Sequence, residues 1–165
     1  MRKSAIILAG GSSRRLGQDK GLIELVKKPL LIHVLDKVSN VVDEIVIVVS
    51  SESQKRKYKD LVKQKARVTV DRDKAQSPLV GALTGFENVQ GEYSLLLPCD
   101  TPFISGQIVL LLLDLCLNRS AVIARWPNGF IEPLQAAYHT KSAQASAEKA
   151  LENGKMNLQS MIALL

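Results

Sequence analysis

Residues 8–20 read Leu-Ala-Gly-Gly-Ser-Ser-Arg-Arg-Leu-Gly-Gln-Asp-Lys and combine two features that a phosphate group needs. The glycine pair Gly10-Gly11 follows a short apolar run, so backbone N–H groups there can turn toward a ligand and form an anion nest. Arg14, Arg15 and Lys20 follow within the next few residues, enough positive charge to hold a triphosphate. The two common phosphate fingerprints are absent. A Walker A loop requires a Gly-Lys-Ser/Thr tripeptide, and a dinucleotide loop requires G-x-G-x-x-G. From spacing alone, a phosphate-binding loop competes with an ordinary basic surface turn.

Single carboxylates offer complementary chemistry. Asp100 follows the apolar run 93–97 and stands between Pro98 and Pro102, which stiffen its loop. A hard oxygen donor there suits Mg²⁺, which keeps several waters and takes few protein ligands alongside substrate phosphates. By position alone it could equally cap a helix starting near Ser105. Asp71 ends another short run, 67–70, with Asp73 as a rival two residues on. His33 and His139 lie in apolar contexts and read as structural. Cys99 and Cys116 have neither CxxC spacing nor histidine company, so they read as free buried thiols and not as zinc ligands.

Such residues must be positioned by a frame, and the sequence describes one. Strand-like and helix-like segments alternate, which predicts a single α/β domain with a largely parallel sheet. Residues 5–9, 44–49, 67–70, 93–97, 121–124 and 134–138 read as strands. The first is continuously apolar, as expected of a strand buried on both faces. Helices are expected from Pro29 through Val38, over 53–65, from Pro78, over 104–117 and over 140–153, with Gly154 as a stop and one more starting near Met156. The apolar run 108–113 is expected to be a buried helix segment. It is far short of the roughly 20 residues that span a bilayer. With 165 residues, 46% hydrophobic and 23% charged, the chain can bury a core without staples, which excludes disorder. The net charge of +6 suits anionic partners without choosing among them. Aromatics at 4% and the absence of a recognisable motif argue against nucleic acid.

The segment LAGGSSRRLGQDKG closely resembles the signature L-A-G-G-x-S-x-R-M-G-x-D-K of the MobA-like nucleotidyltransferase family, which includes molybdenum cofactor guanylyltransferase. The resemblance continues through Lys28-Pro29-Leu30, Asp71, residues 77–81 (Ser-Pro-Leu-Val-Gly), residues 97–103 (Leu-Pro-Cys-Asp-Thr-Pro-Phe) and Pro133-Leu134. It implies a three-layer α/β/α domain with a mostly parallel, Rossmann-like sheet of the nucleotide-diphospho-sugar transferase type. It also implies transfer of GMP from GTP to the terminal phosphate of molybdopterin, with release of pyrophosphate. That nucleophile is a phosphate monoester, largely anionic at neutral pH, so no general base is needed.

By the same resemblance, Leu8, Ala9, Gly10 and Gly11 would lie against the nucleotide. Arg15 and Lys20 would steady the triphosphate, Asp100 would hold Mg²⁺, and Asp71 would touch the nucleotide. Arg14 occupies a variable motif position and reads as surface. Residues 77–81 would face molybdopterin or its molybdenum-loaded form. The implied setting is cytoplasmic, without membrane or nucleic acid, and with other molybdenum-cofactor proteins as further partners.

Three departures are visible. Leu16 replaces the motif's methionine, a volume-conserving change. Ser50-Ser51 stands where the family often has a nucleotide-contacting asparagine, leaving Ser51 as the candidate. The family's Asn-x-Asn-Thr-Pro-Glu segment is not found before Leu165, so the expectation is one domain, 1–165, lacking the family's C-terminal segment. Two other outcomes stay open. One is the same fold with another base or acceptor: CTP, cobinamide phosphate or a sugar phosphate. The other is a GTP-binding module without turnover.

Overall fold

The computed structural model describes residues 1–11, 19–72 and 77–165. In chain order its strands are β1 (Lys3–Leu8), β2 (Glu24–Leu25), β3 (Lys28–Pro29), β4 (Glu44–Val49), β5 (Arg67–Val70), β6 (Tyr93–Pro98), β7 (Ala121–Arg125) and β8 (Ile131–His139). Its helices are α1 (Leu30–Val38), α2 (Glu52–Val62), α3 (Pro78–Asn88), α4 (Gly106–Leu115), α5 (Thr140–Glu152) and α6 (Leu158–Ile162). Six strands form one sheet in the order β5-β4-β1-β6-β8-β7. The first four are mutually parallel, and β8 joins β6 antiparallel. A hairpin then adds β7 at the edge.

The period-2 alternation of side chains explains why the central strands are apolar throughout. On one face Ala5, Ile7, Ile47 and Leu97 pack with Leu31 and Val34 of α1, Tyr58 of α2 and Val109 and Leu113 of α4. On the other, Ile6, Val46, Val48 and Leu96 pack with Leu79 and Phe86 of α3, the alanines of α5, and Leu158 and Met161 of α6. The architecture is therefore α/β/α, as expected. Gly85 of α3 lies so close to the sheet that an added Cβ would stand 2.3 Å from Ile6 Cγ2.

The structure departs from the sequence reading in several places. The apolar run on α4 is only half buried: Val109, Leu112 and Leu113 face the core, whereas Ile108, Leu110, Leu111 and Leu115 are exposed. Six consecutive apolar residues pass every face of a helix, and this one has a single neighbouring layer. Pro29 is the residue before α1 and not its first turn. The β2–β3 ribbon escapes notice because its turn carries Val26 and Lys27 at φ 53° and 58° in place of the usual Asn-Gly. Among the described residues, no helix is long and apolar enough to cross a membrane.

Candidate active site

The carboxyl ends of β1, β4, β5 and β6 are laced together just beyond their last paired residues. Ala9 N–H donates to the Val48 carbonyl (2.8 Å), Cys99 N–H to that of Leu8 (3.2 Å) and Asp71 N–H to that of Val49 (2.7 Å). At this edge the chain leaves β1 through Gly10, whose absent Cβ leaves room for Ser50 N at 3.2 Å. Ligands of open α/β sheets bind at such an edge. A cavity of about 340 Å³ opens here between the strand ends and the start of α3, lined by Leu8, Gly10, Gly11, Lys20, Val48, Asp71, Ser77, Pro78, Gly81, Pro98, Cys99, Asp100 and Leu134.

Most of the site residues expected from the sequence meet here. Lys20 comes from the short 3-10 turn Lys20–Leu22 and places Nζ 3.3 Å from Asp100 Oδ2. Both side chains keep partial exposure, 46% and 35%. Such an ion pair contributes little to stability, and both groups can turn to incoming phosphate or metal. Asp100 does not cap α4, because Ser105 supplies that cap. Asp71 accepts from the Thr84 hydroxyl at 2.8 Å, and Thr84 in turn accepts from Arg72 N–H at 3.1 Å. Ser77 caps α3 through Val80 N–H, with Pro78 in the first turn.

Two expected nucleotide contacts stand outside the lining. Ala9 is buried, and its carbonyl accepts from the Gln54 side chain at 2.7 Å. Ser51 is exposed, and its hydroxyl caps α2 by accepting from Gln54 N–H. Arg14, Arg15 and Asp73 fall outside the described residues. The sequence reading passed over Val48, Pro98 and Cys99 as wall residues because apolar strand ends carry no chemical signal. It gave Tyr58 no role beyond the apolar face of its helix, and it missed Gln54, one turn earlier on that face.

The two histidines and the two cysteines are structural. His33 Nε2 pairs with the Leu25 carbonyl at 2.9 Å, and His139 caps α5. Cys99 and Cys116 are free and buried, as expected. Burial, with Asp100 and Asp19 nearby, pushes the Cys99 thiol up to about 12. It is therefore a protonated wall group and not a nucleophile. Among the described residues no cluster of three or more His, Cys, Asp and Glu could hold a metal. Among the described residues, Asp71 and Asp100 supply the cavity's carboxylates. That sparse oxygen donor set fits Mg²⁺ carried in with phosphates, and it does not fit zinc.

A mostly parallel sheet with a cavity of this size at its carboxyl edge is an α/β fold that takes a small-molecule ligand there. The family model described as the MobA-like NTP transferase domain matches residues 5–163, and the chain belongs to that family. A protein of Methanosarcina mazei named "Probable molybdenum cofactor guanylyltransferase" is 35% identical over 158 residues, 93% of this chain and 70% of its own. Among solved structures, the molybdopterin-guanine dinucleotide biosynthesis protein A of Archaeoglobus fulgidus superposes with a TM-score of 0.79 at 24% identity, over 97% of this chain and 78% of that one. The 2-C-methyl-D-erythritol 4-phosphate cytidylyltransferase of Thermus thermophilus has the same fold, with a TM-score of 0.74 at 15% identity over 99% and 85% of the two chains.

Proposed function

We propose that the protein transfers GMP from GTP to the terminal phosphate of molybdopterin, releasing pyrophosphate. The observation that carries the reaction type is the meeting of the Gly10-Gly11 turn, Lys20 and Asp100 at one cavity. Similarity to proteins named as guanylyltransferases of the molybdenum cofactor supports the choice of base and acceptor. The acceptor phosphate is already anionic, so the protein's work is alignment and charge neutralisation for in-line attack at the α-phosphorus. The glycine turn lets the triphosphate approach the backbone. Lys20, with Arg15 beside it in the motif, neutralises the charge that builds on the departing pyrophosphate. Asp71 holds the nucleoside end of the substrate, and residues 77–81 face the acceptor. When bound at Asp100, Mg²⁺ would supply charge neutralisation between the phosphates. Two buried free thiols suit a cytoplasmic setting.

The test is a thermal-shift panel with GTP, CTP and ATP, with and without Mg²⁺, followed by pyrophosphate release in the presence of molybdopterin. A ligand at 100 times its dissociation constant stabilises by roughly 2.7 kcal/mol, a shift of several degrees for a domain of this size. Response to GTP with Mg²⁺ and acceptor-dependent pyrophosphate release are expected. A response to CTP instead would reassign the base. GTP binding without release would leave a nucleotide-binding module.

A further inference from the structure

Helix α2 carries a mostly solvated, charged surface, with Tyr58 and Val62 as its buried residues. Its inward face is nonetheless polar at two positions, and both serve one carboxylate. Asp19 accepts from Tyr58 Oη at 2.5 Å, from Gln54 Nε2 at 2.6 Å and from Gly21 N–H at 3.2 Å. The other hydrogen bonds of Gln54 go to the sheet edge. Its Nε2 also donates to the Ala9 carbonyl, and its Oε1 accepts from Ser50 N–H at 2.8 Å and the Ser50 hydroxyl at 3.1 Å. One amide therefore ties together the end of β1, the end of β4 and Asp19. Gly21 makes the approach possible, since a Cβ there would stand 2.3 Å from the Tyr58 oxygen. Burial and the Asp19 carboxylate push the Tyr58 hydroxyl far above its ordinary range, so it remains a donor.

Polar groups on a helix's buried face cost free energy unless they are paired, and a phenylalanine and a leucine would cover the same sheet. Here the polar pair fixes the residue immediately before Lys20. We infer that Gln54 and Tyr58 are positioning residues that act through Asp19 to set where the Lys20 ammonium stands opposite Asp100. This rests on the proposed nucleotide-binding role for its ligand. Neither side chain is among the cavity's lining, and Tyr58, bonded to Asp19, reaches the triphosphate through the Asp19–Lys20 segment.

The experiment is a double-mutant cycle read by calorimetric titration of GTP with Mg²⁺ and, separately, of guanosine. Tyr58→Phe should weaken GTP about tenfold and leave guanosine unchanged, and on a Lys20→Ala background it should add less than about twofold. Asp19→Ala, which removes the carboxylate that both side chains hold, should behave the same way and carries the cycle if Tyr58→Phe does not give a cooperative melt. Equal losses with and without Lys20, or equal losses for GTP and guanosine, overturn the positioning role. A parent protein that binds GTP but releases no pyrophosphate with molybdopterin sinks the guanylyltransferase reading while leaving the cycle readable. A parent that binds no triphosphate sinks both.

Discussion

Helices α2 and α3 begin alike and end with different duties. Each is entered from a serine at a strand's carboxyl side, and each serine hydroxyl accepts from the amide three residues on: Ser51 from Gln54, Ser77 from Val80. Yet Ser51 is exposed and off the cavity, whereas Ser77 lines it. What separates them is the sequence that follows the cap. Helix α3 continues with Pro78, Leu79, Val80 and Gly81, small or apolar residues that let its first turn lie against Leu8 and Asp71. Helix α2 continues with charged residues, and its inward contribution is the Gln54 and Tyr58 pair that grips Asp19 from the opposite face. A shared cap says where a helix starts; packing decides whether that start belongs to a site. The sheet edge is thus shaped by α3 on one side and tied down by α2 on the other.

The comparison can be broken first at the residue both sides frame. Asp100→Ala should lower metal-dependent pyrophosphate release on the order of a thousandfold with the melting transition retained, and near-parental rates would remove Asp100 as the magnesium ligand. Next in size is the packing contrast. Gly85→Ala in α3 should cost about 2 kcal/mol by overpacking Ile6, while Lys57→Ala on the exposed face of α2 should stay within about 0.5 kcal/mol. Urea melts that gave the two variants equal stability would show that α3 yields where the structure has it pressed tight.

The serines sharpen the contrast further. Ser51→Ala and Ser77→Ala should each lose about 1 kcal/mol as helix caps, but only Ser77→Ala should alter the KM for the acceptor. An equal change in KM from both would return Ser51 to the site. The smallest effect concerns the thiols. Their folded values lie above the ordinary 9.0, at about 12 for Cys99 and about 11 for Cys116, with burial as the first cause. Stability from this source is fully present below about pH 9 and is lost as the pH climbs through the folded values, because the unfolded chain releases these protons first. Cys99→Ala should flatten the decline in melting temperature above about pH 9; an unchanged slope would assign the decline to other groups.

The frame was legible because its signals are local. The apolar runs at residues 44–49 and 67–70 matched strands to the residue, and helical spacing found α1 and α5 within a residue or so. The antiparallel hairpin was legible only as two strands, since pairing direction is a tertiary property. Lys20, Asp71 and Asp100 could be chosen because glycine, charge and proline punctuate strand ends. Val48 in the cavity wall could not, because it resembles every other buried aliphatic residue of the sheet. Ser51 was chosen because it stands where the family often has a nucleotide-contacting asparagine; the structure places it outside the cavity's lining, with its hydroxyl engaged by its own helix. The Gln54–Tyr58–Asp19 contacts join residues 35 and 39 positions apart, and nothing in either segment announces the other.

The pressing of Gly85 against Ile6 also has a historical consequence. A larger residue at 85 is admissible only once residue 6 has shrunk, and shrinking residue 6 first leaves a void between strand and helix. Either order of change passes through a weakened ancestor. The two positions are therefore expected to be inherited as a linked pair and to change, among descendants of this chain, only in near succession.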